Sequence, residues 1–347
     1  MGELALNICA GTIFEEYGGV SRHIFDIKKF SRHRISIVPP KLPRILLNRF
    51  RWAKQHYKKI VGNHLLHRYD ALHSQADPWF EKACQTTRSN ACKWVHTFHS
   101  LFFPEDYEHG LAAWQETENQ VLTEICSQAD IRITVSKWLH DYLQSRFHIS
   151  TLILEHGIDL SLLQKINGRE FTDNYKTDDF ILYVGGFREV KNPVFFVSLA
   201  EEMPKENFLM IGERLDKESF LQMYHIKIPE NLIMLGSVPH EMALSAMAAC
   251  KIYVMTSKRE SLGYTLLEAM ALGKPVVAPD HSGPRDILAD TKAGLLYRPD
   301  SLADAVKQIR QALASQTIGQ EAKELVAERF NVSKQIMKLD DLYSSLQ

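Results

Sequence analysis

Residues 251–279 read KIYVMTSKRESLGYTLLEAMALGKPVVAP. KIYVMT (251–256) is a short apolar run fit for a buried strand, residues 264–272 carry helical spacing, and PVVAP (275–279) is a second strand. Ala269, Ala271 and Gly273 point to close packing of that helix on the sheet beneath it. The same alternation extends in both directions. Upstream lie ILYVG (181–185), FLMIG (208–212) and NLIML (231–235), with a helical pattern over 239–249; downstream lies GLLYR (294–298). Strands and helices alternating at this pace imply a parallel sheet covered by helices on both faces. The first half repeats the scheme with LALNIC (4–9), ISIVP (35–39), YDALHS (69–74), ACKWVHTF (91–98), IRITVS (131–136) and TLILE (151–155). Helices are expected near 19–30, 44–61, 110–128 and 137–147. The fold class is therefore α/β, with two doubly wound, Rossmann-like parallel-sheet domains. The polar stretch 167–179, NGREFTDNYKTDD, is the expected linker.

Bulk properties agree. A chain of 347 residues is too long for one ordinary core. Its 45% hydrophobic and 24% charged content is that of a globular protein. No apolar run approaches the roughly 18–20 residues that span a bilayer. The start, MGELALNICAG, has no basic region of the signal-peptide kind and no Ser or Thr at position 6 for myristoylation. These features lead us to expect a cytoplasmic protein. Its five cysteines form no C-x-x-C and read as reduced thiols. Charge is distributed unevenly: Lys28 to Arg68 holds twelve Lys or Arg, four His and no acid, so with a net charge of −1 the remainder sums to −13.

In open parallel sheets ligands bind beyond the carboxyl ends of the strands. YGGVSRH (17–23) follows the first strand, HTFHS (96–100) ends the fourth, GGFREVKN (185–192) follows the first strand of the second domain, and SKRES (257–261) follows its fourth. These are expected to gather at an interdomain cleft. In GGFREVKN two glycines permit close backbone approach, and Arg188 and Lys191 bring positive charge to a helix start at Pro193. Helix N-termini attract anions, so a phosphate site is reasonable; an ordinary turn with solvated cations is as plausible on this stretch alone. Glu260 lies in the turn after KIYVMTS, and Glu268 two turns into the following helix. A helix dipole would explain one acid near the helix start, at roughly 0.3–1 kcal/mol, but not both.

ESLGYTLLEAMALGKPVV resembles the E-x7-E signature of the retaining GT-B glycosyltransferases, glycosyltransferase family 4 (glycosyl transferases group 1) in particular. GGVSRH is similar to that family's first glycine loop, VHTFH to its histidine-bearing strand end, and ADIRITVS and EHGID to further landmarks. FNVSKQIMKLDDLYSSL resembles a terminal helix that crosses back onto the first domain. The resemblance implies an acceptor-binding domain over 1–166, a donor-binding domain over 167–328 and a crossing helix over 329–347. It implies that Glu260 contacts the donor sugar's hydroxyls, that Glu268 holds the ribose diol, and that Lys191 and an arginine neutralise the departing diphosphate. Gly19 would close over that diphosphate, Gly186, Leu262 and Gly263 would line the donor site, Val238 would read the base, and His99 would lie beside the sugar. Where the family carries Gly-Arg this chain has Gly185-Gly186, and Arg188 is the candidate replacement. His156 stands where the family carries asparagine, and is expected to pack a loop.

The implied activity is retaining transfer of a sugar from a nucleotide-diphosphate donor to a glycan or lipid-linked acceptor, in cell-surface polysaccharide or lipopolysaccharide biosynthesis. No cofactor is expected: the chain has no D-x-D cluster to hold a metal, so cations and a helix N-terminus would do that work. A hydrolase or epimerase of the same fold, or a non-catalytic nucleotide-sugar binder, is the alternative; a carboxyl-pair glycosidase fits less well, since nothing sets the two acids across a sugar bond. HEMAL (240–244) lacks the final His of a zinc-protease motif. His64 with His67, and His96 with His99, have metal-like spacing but no Cys or acid at suitable positions nearby, and read as packed or surface histidines. In the basic segment Leu46, Phe50, Ala53, Tyr57 and Ile60 form one apolar helical stripe, with Arg49, Arg51, Lys54, Lys58 and Lys59 elsewhere around the helix. A core helix with a basic outer face explains the spacing. The absence of acids favours an anionic acceptor or a peripheral contact with an anionic membrane, where each cation gains roughly 1 kcal/mol. Nucleic acid is not expected, for want of a recognisable binding fold.

Overall fold

A computed structural model describes residues 3–10, 18–37 and 49–346, with side chains for all of them except 9–10 and 49–56. Two six-stranded sheets carry the fold, every strand pair parallel. The first holds β1 (Ala5–Ala10), β2 (Arg34–Ile37), β3 (Ala71–Ala76), β4 (Lys93–Phe98), β5 (Ile131–Thr134) and β6 (Leu152–Ile153) in the order 2-1-3-4-5-6. The second holds β7 (Phe180–Val184), β8 (Asn207–Ile211), β9 (Leu232–Met234), β10 (Ile252–Val254), β11 (Val276–Pro279) and β12 (Leu295–Tyr297) in the order 12-11-10-7-8-9. Counted from its own first strand, this is the Rossmann order 3-2-1-4-5-6. Winding therefore reverses between β7 and β10, which pair through Ile181–Ile252 and Leu182–Tyr253. Each strand lies within two residues of the run read from the sequence.

The chain divides into two compact units: Met1–Pro104, His109–Gly157 and Val332–Gln347 form one, and Glu105–Glu108 with Ile158–Asn331 the other. The second thus takes in residues ahead of the position-167 boundary read from the sequence. The terminal helix Val332–Ser344 belongs to the first unit, where Val332, Ile336, Leu339 and Tyr343 join the core built on Leu6, Ile8, Ile24, Ile27, Val95 and Ile133. Polar contacts fix it further. Asp340 accepts from Ser31 Oγ (2.6 Å) and Arg32 N (2.9 Å), and Tyr343 OH lies 2.6 Å from His73 Nδ1.

Three local expectations need correction. The linker stretch 167–179 contains a helix, Gly168–Tyr175, capped by Asn167, whose side chain accepts from Arg169 N at 3.0 Å. Only Phe171 is buried along it, so too few apolar positions existed to show the period. A further helix, Pro78–Thr87, was not foreseen, although Asp77 caps it and Pro78 stands at its first position, both recognised start signals. The stretch expected to be one helix over 110–128 is broken into an α segment (Ala113–Gln120), a π turn (Val121–Ile125) and a 3-10 turn (Cys126–Gln128). The helix expected at 44–61 is observed as Arg49–Leu66; Leu46 and the rest of 44–48 lie outside the described residues.

Among the described cysteines no disulfide forms: Cys84, Cys126 and Cys250 are buried and Cys92 is half-buried. No helix among the described residues is long and apolar enough to cross a membrane.

The first unit carries an unusual load of packed histidines. His23 stacks on His156 with ring centroids 3.8 Å apart, and His99 lies 5.0 Å from His156. Burial, then the neighbouring imidazoles, holds His23 and His156 well below the ordinary histidine value. Burial lowers His73 and His99 to about 3, and His64 to about 4. These rings stay neutral in the folded protein, whereas in the unfolded chain they take up protons below about pH 6.5. Stability is therefore full above that pH and drains as pH falls towards the folded values, by about 1.4 kcal/mol per pH unit for each proton gained on unfolding. The urea midpoint should fall steeply between about pH 7.5 and pH 5.5. A midpoint unchanged over that interval would show that the rings protonate as readily in the fold as in the unfolded chain.

Candidate active site

The turn after β7 runs through Gly185 and Gly186 to Arg188 and a short 3-10 turn, Glu189–Lys191, before the helix Pro193–Glu202. The turn after β10 runs from Met255 to Gly263, which takes φ +98 as the cap of the helix Tyr264–Ala271. Because β7 and β10 flank the point where winding reverses, both turns open into the crevice where such sheets bind ligands. Lys191 Nζ and Glu260 Oε1 are in direct contact there, as an ion pair that is largely but not wholly buried. Ser257 Oγ also donates to Oε1, at 2.9 Å. Both bonds fall on one carboxylate oxygen, which leaves Oε2 for a ligand hydroxyl.

Backbone contacts hold the two turns together. Thr256 Oγ1 donates to the carbonyls of Lys191 (3.1 Å) and Asn192 (2.9 Å), and Lys258 N donates to Val190 O at 2.8 Å. On its other side Glu260 is fixed through its own backbone, with its N–H on Ser282 Oγ at 3.3 Å and its carbonyl accepting from Gly283 N at 2.8 Å. The neighbouring Arg259 forms a two-pronged pair with Asp106 at 2.8 and 3.1 Å, and reaches Glu105 at 3.0 Å. The loop that presents Glu260 is thus braced from several directions before any substrate arrives.

Glu268 lies on the second turn of its helix, nearly buried, with Oε1 accepting from His240 Nε2 at 3.0 Å. His240 opens the helix His240–Ala249, directly after the loop that carries half-buried Val238. Local sequence shows His240 only as part of an incomplete zinc motif; packing of the two helices makes it the partner of Glu268. Leu262 is buried beside Gly263 at the helix start. Arg188 is exposed, and a second exposed cation, Arg214, sits 4.9 Å from the centre of the Phe187 ring. Ser257 and His240, the partners of Glu260 and Glu268, are residues that sequence spacing could not single out.

Gly185 and Gly186 differ sharply. A side chain at 185 would strike the Tyr183 hydroxyl group, and one at Gly212 would collide with the Gly185 carbonyl, so the β7 and β8 turns meet there backbone to backbone. Beside Gly186 there is open space and no positive φ.

In the first unit His99 follows β4 and donates from Nε2 to Gln75 Oε1 at the end of β3, at 3.0 Å. The buried Gln75 Nε2 beside it has no hydrogen-bond partner. Gly19 is the first residue of the helix Gly19–Phe30. Of the basic patch, Lys58 and Lys59 are exposed on the helix Arg49–Leu66; the side chains of Arg49, Arg51 and Lys54 lie outside the described set. Tyr57 is half-buried and Ile60 fully buried, as the apolar stripe requires.

Two family models tile the chain: Glycosyltransferase Family 4 over residues 17–162 and Glycosyl transferases group 1 over 164–329. The chain belongs to the group 1 glycosyltransferases. Among solved structures of this GT-B fold it is similar to sucrose-phosphate synthase from Thermosynechococcus elongatus, with a TM-score of 0.80 and 20% identity over 99% of both chains. It is also similar to Anabaena HepE in complex with UDP-glucose, with a TM-score of 0.77 and 18% identity over 99% of this chain and 100% of that one. A curated relative, an uncharacterized glycosyltransferase of Methanocaldococcus jannaschii, is 21% identical over 235 residues, 64% of this chain and 60% of its own length. The chain therefore spans about three fifths of that relative.

Proposed function

We propose that this group 1 glycosyltransferase moves a sugar from a nucleoside-diphosphate donor to a glycan or lipid-linked acceptor, with retention at the anomeric carbon. The observation that carries the proposal is the Lys191–Glu260 pair, braced by Ser257, at the winding reversal of the second sheet. The bond from the anomeric carbon to the diphosphate oxygen breaks with positive charge growing on the sugar and negative charge on the diphosphate. Glu260 orients the sugar hydroxyls through Oε2. Lys191, Arg188 and the N-terminus of the Tyr264–Ala271 helix take up the diphosphate charge, with Gly186, Leu262 and Gly263 lining that end. The acceptor hydroxyl attacks the same face of the sugar and gives its proton to the departing diphosphate oxygen. Glu268 holds the ribose diol and Val238 meets the base. No metal is needed at the diphosphate, so added Mg²⁺ or Mn²⁺ should leave the rate unchanged.

The acceptor side rests on charge. Lys58 and Lys59 are exposed in a 28–68 segment that has no acid, and Leu65 and Leu66 at the end of their helix are 72% and 83% exposed. Cations beside exposed leucines suit the surface of an anionic membrane carrying a lipid-linked acceptor, and this supports a reading of the enzyme as acting at the cytoplasmic face in polysaccharide or lipopolysaccharide assembly. Salt-sensitive pelleting with anionic liposomes, lost on charge reversal at Lys58 and Lys59, is the expected result.

A thermal-shift panel of nucleoside diphosphates and their sugars tests the donor half. A ligand at a hundred times its Kd stabilises by about 2.7 kcal/mol, so one base and sugar should stand out, and product analysis should then show transfer rather than hydrolysis. A panel without any shift defeats the reading. Gly186→Arg supplies a second check. Open space should leave stability within about 0.5 kcal/mol, while the added cation lowers the donor KM several-fold. A raised KM would place the diphosphate elsewhere.

A further inference from the structure

Beneath β4, three chemically distinct metal-ligand side chains meet in the dry core of the first unit: Glu81 from the helix Pro78–Thr87, His96 from β4, and Cys126 from the turn that follows the π segment. Their ligand atoms lie within 4.8 Å of one another, and all three residues are at most 1% exposed. Glu81 and Cys126 lie 15 and 30 positions from His96 in sequence, and the fold brings them to it.

Hydrogen bonding leaves this cluster incomplete. Trp94 Nε1 donates to Ser74 Oγ at 2.8 Å, and Ser74 Oγ lies 2.7 Å from His96 Nδ1. His96 Nε2 has no partner. Cys126 hydrogen-bonds to the Glu81 carboxyl, yet Glu81 Oε1, 3.8 Å from His96 Nδ1, has no hydrogen-bond partner. A carboxyl oxygen and a ring nitrogen both stranded away from water is an expensive arrangement, since each buried unsatisfied group costs about 1–3 kcal/mol. A core designed only for packing would place Leu or Gln here.

We propose that Glu81, His96 and Cys126 supply three ligands of a site for one divalent transition-metal ion, zinc by the chemistry of these donors. A thiolate, an imidazole and a carboxylate are the donors that zinc takes in tetrahedral sites, and hard cations such as magnesium do not favour thiolate. Binding releases the thiol proton of Cys126 and the carboxyl proton of Glu81. One 2+ ion replaces two protons, and the complex of metal, thiolate, carboxylate and neutral imidazole has no net charge. A neutral complex is the form a dry core tolerates. Ser74, tied to Trp94, is placed to orient the imidazole as outer hydrogen-bonding partners of ligating histidines do. The ion would pin the Pro78–Thr87 helix, β4 and the end of the π segment to one another.

Elemental analysis of the full chain, purified without chelator from zinc-supplemented medium, should find about one zinc per chain, and below about a tenth of that in Cys126→Ser and His96→Ala. Chelator should lower the melting temperature of the wild-type chain, and one equivalent of zinc should restore it. Should those variants fail to fold, the chelated wild-type chain decides the matter. With one equivalent of Co²⁺ it should develop the near-ultraviolet absorption of a cobalt–thiolate bond, and zinc should abolish that band. Absence of the band, a band that survives in a folded Cys126→Ser chain, or a melting temperature indifferent to both chelator and zinc each overturns the site.

Discussion

Lys191→Ala is expected to lower kcat by at least about a hundredfold while leaving the protein folded. Lys191 pairs directly with Glu260, the acid proposed above to orient the sugar, and it is only partly exposed. At an effective dielectric near 20, a unit charge about 4 Å from the growing negative charge of a diphosphate gains about 4 kcal/mol. Realised only in the transition state, that corresponds to roughly a thousandfold in rate. Arg188 and the helix N-terminus share the load, so the smaller figure is the firm expectation. The fold should survive because the 3-10 turn is held by its backbone: the Lys191 carbonyl accepts from Tyr183 OH at 3.3 Å and from Thr256 Oγ1 at 3.1 Å, and neither bond needs the side chain. Initial rates under saturating donor, with a melting curve alongside, make the measurement. A rate within about threefold of wild type would remove Lys191 from the reaction.

Glu268→Gln should raise the donor KM by about ten- to a hundredfold, the equivalent of losing hydrogen bonds to a charged group worth about 1.5–3 kcal/mol, with a smaller change in kcat. Glutamine keeps the shape of the side chain, and its oxygen can still accept from His240 Nε2, so the nearly buried helix face is not disturbed. A ribose diol bound by Glu268 makes a sharper statement. Wild-type enzyme should discriminate strongly against a deoxyribose donor, and the variant should scarcely discriminate at all. Equal discrimination in both would put the ribose elsewhere. A fall in kcat with KM unchanged would mean that Glu268 acts on the reacting sugar.

The sheets were legible because strands buried on both faces appear as continuous apolar runs; ILYVG and PVVAP could hardly be anything else. Helices that show one or two apolar residues to the core leave a weaker trace. Gly168–Tyr175 was mistaken for a linker because Phe171 alone is buried, and Pro78–Thr87 was passed over despite its capping aspartate and leading proline. At the site, Lys191 and Glu260 were readable because each follows directly from the end of its own strand, and strand ends are where ligands bind. What stayed hidden are pairings made by packing. His240 meets Glu268 across 28 positions, and Cys126 comes to His96 only through the fold of the intervening turns. No local pattern encodes such meetings, since they depend on how separate elements are stacked.

The helix Val332–Ser344 has a bearing on how the protein is made. Its apolar face and Asp340 complete a core begun by residues near the start of the chain. During translation the ribosome therefore releases every residue of the second unit before the first can close its own interior. Until then Ile24 and Ile27 have no cover from Ile336 and Leu339. A ribosome stalled before residue 332 therefore leaves a second unit with all its residues beside a first unit whose core still lacks the residues of its last helix.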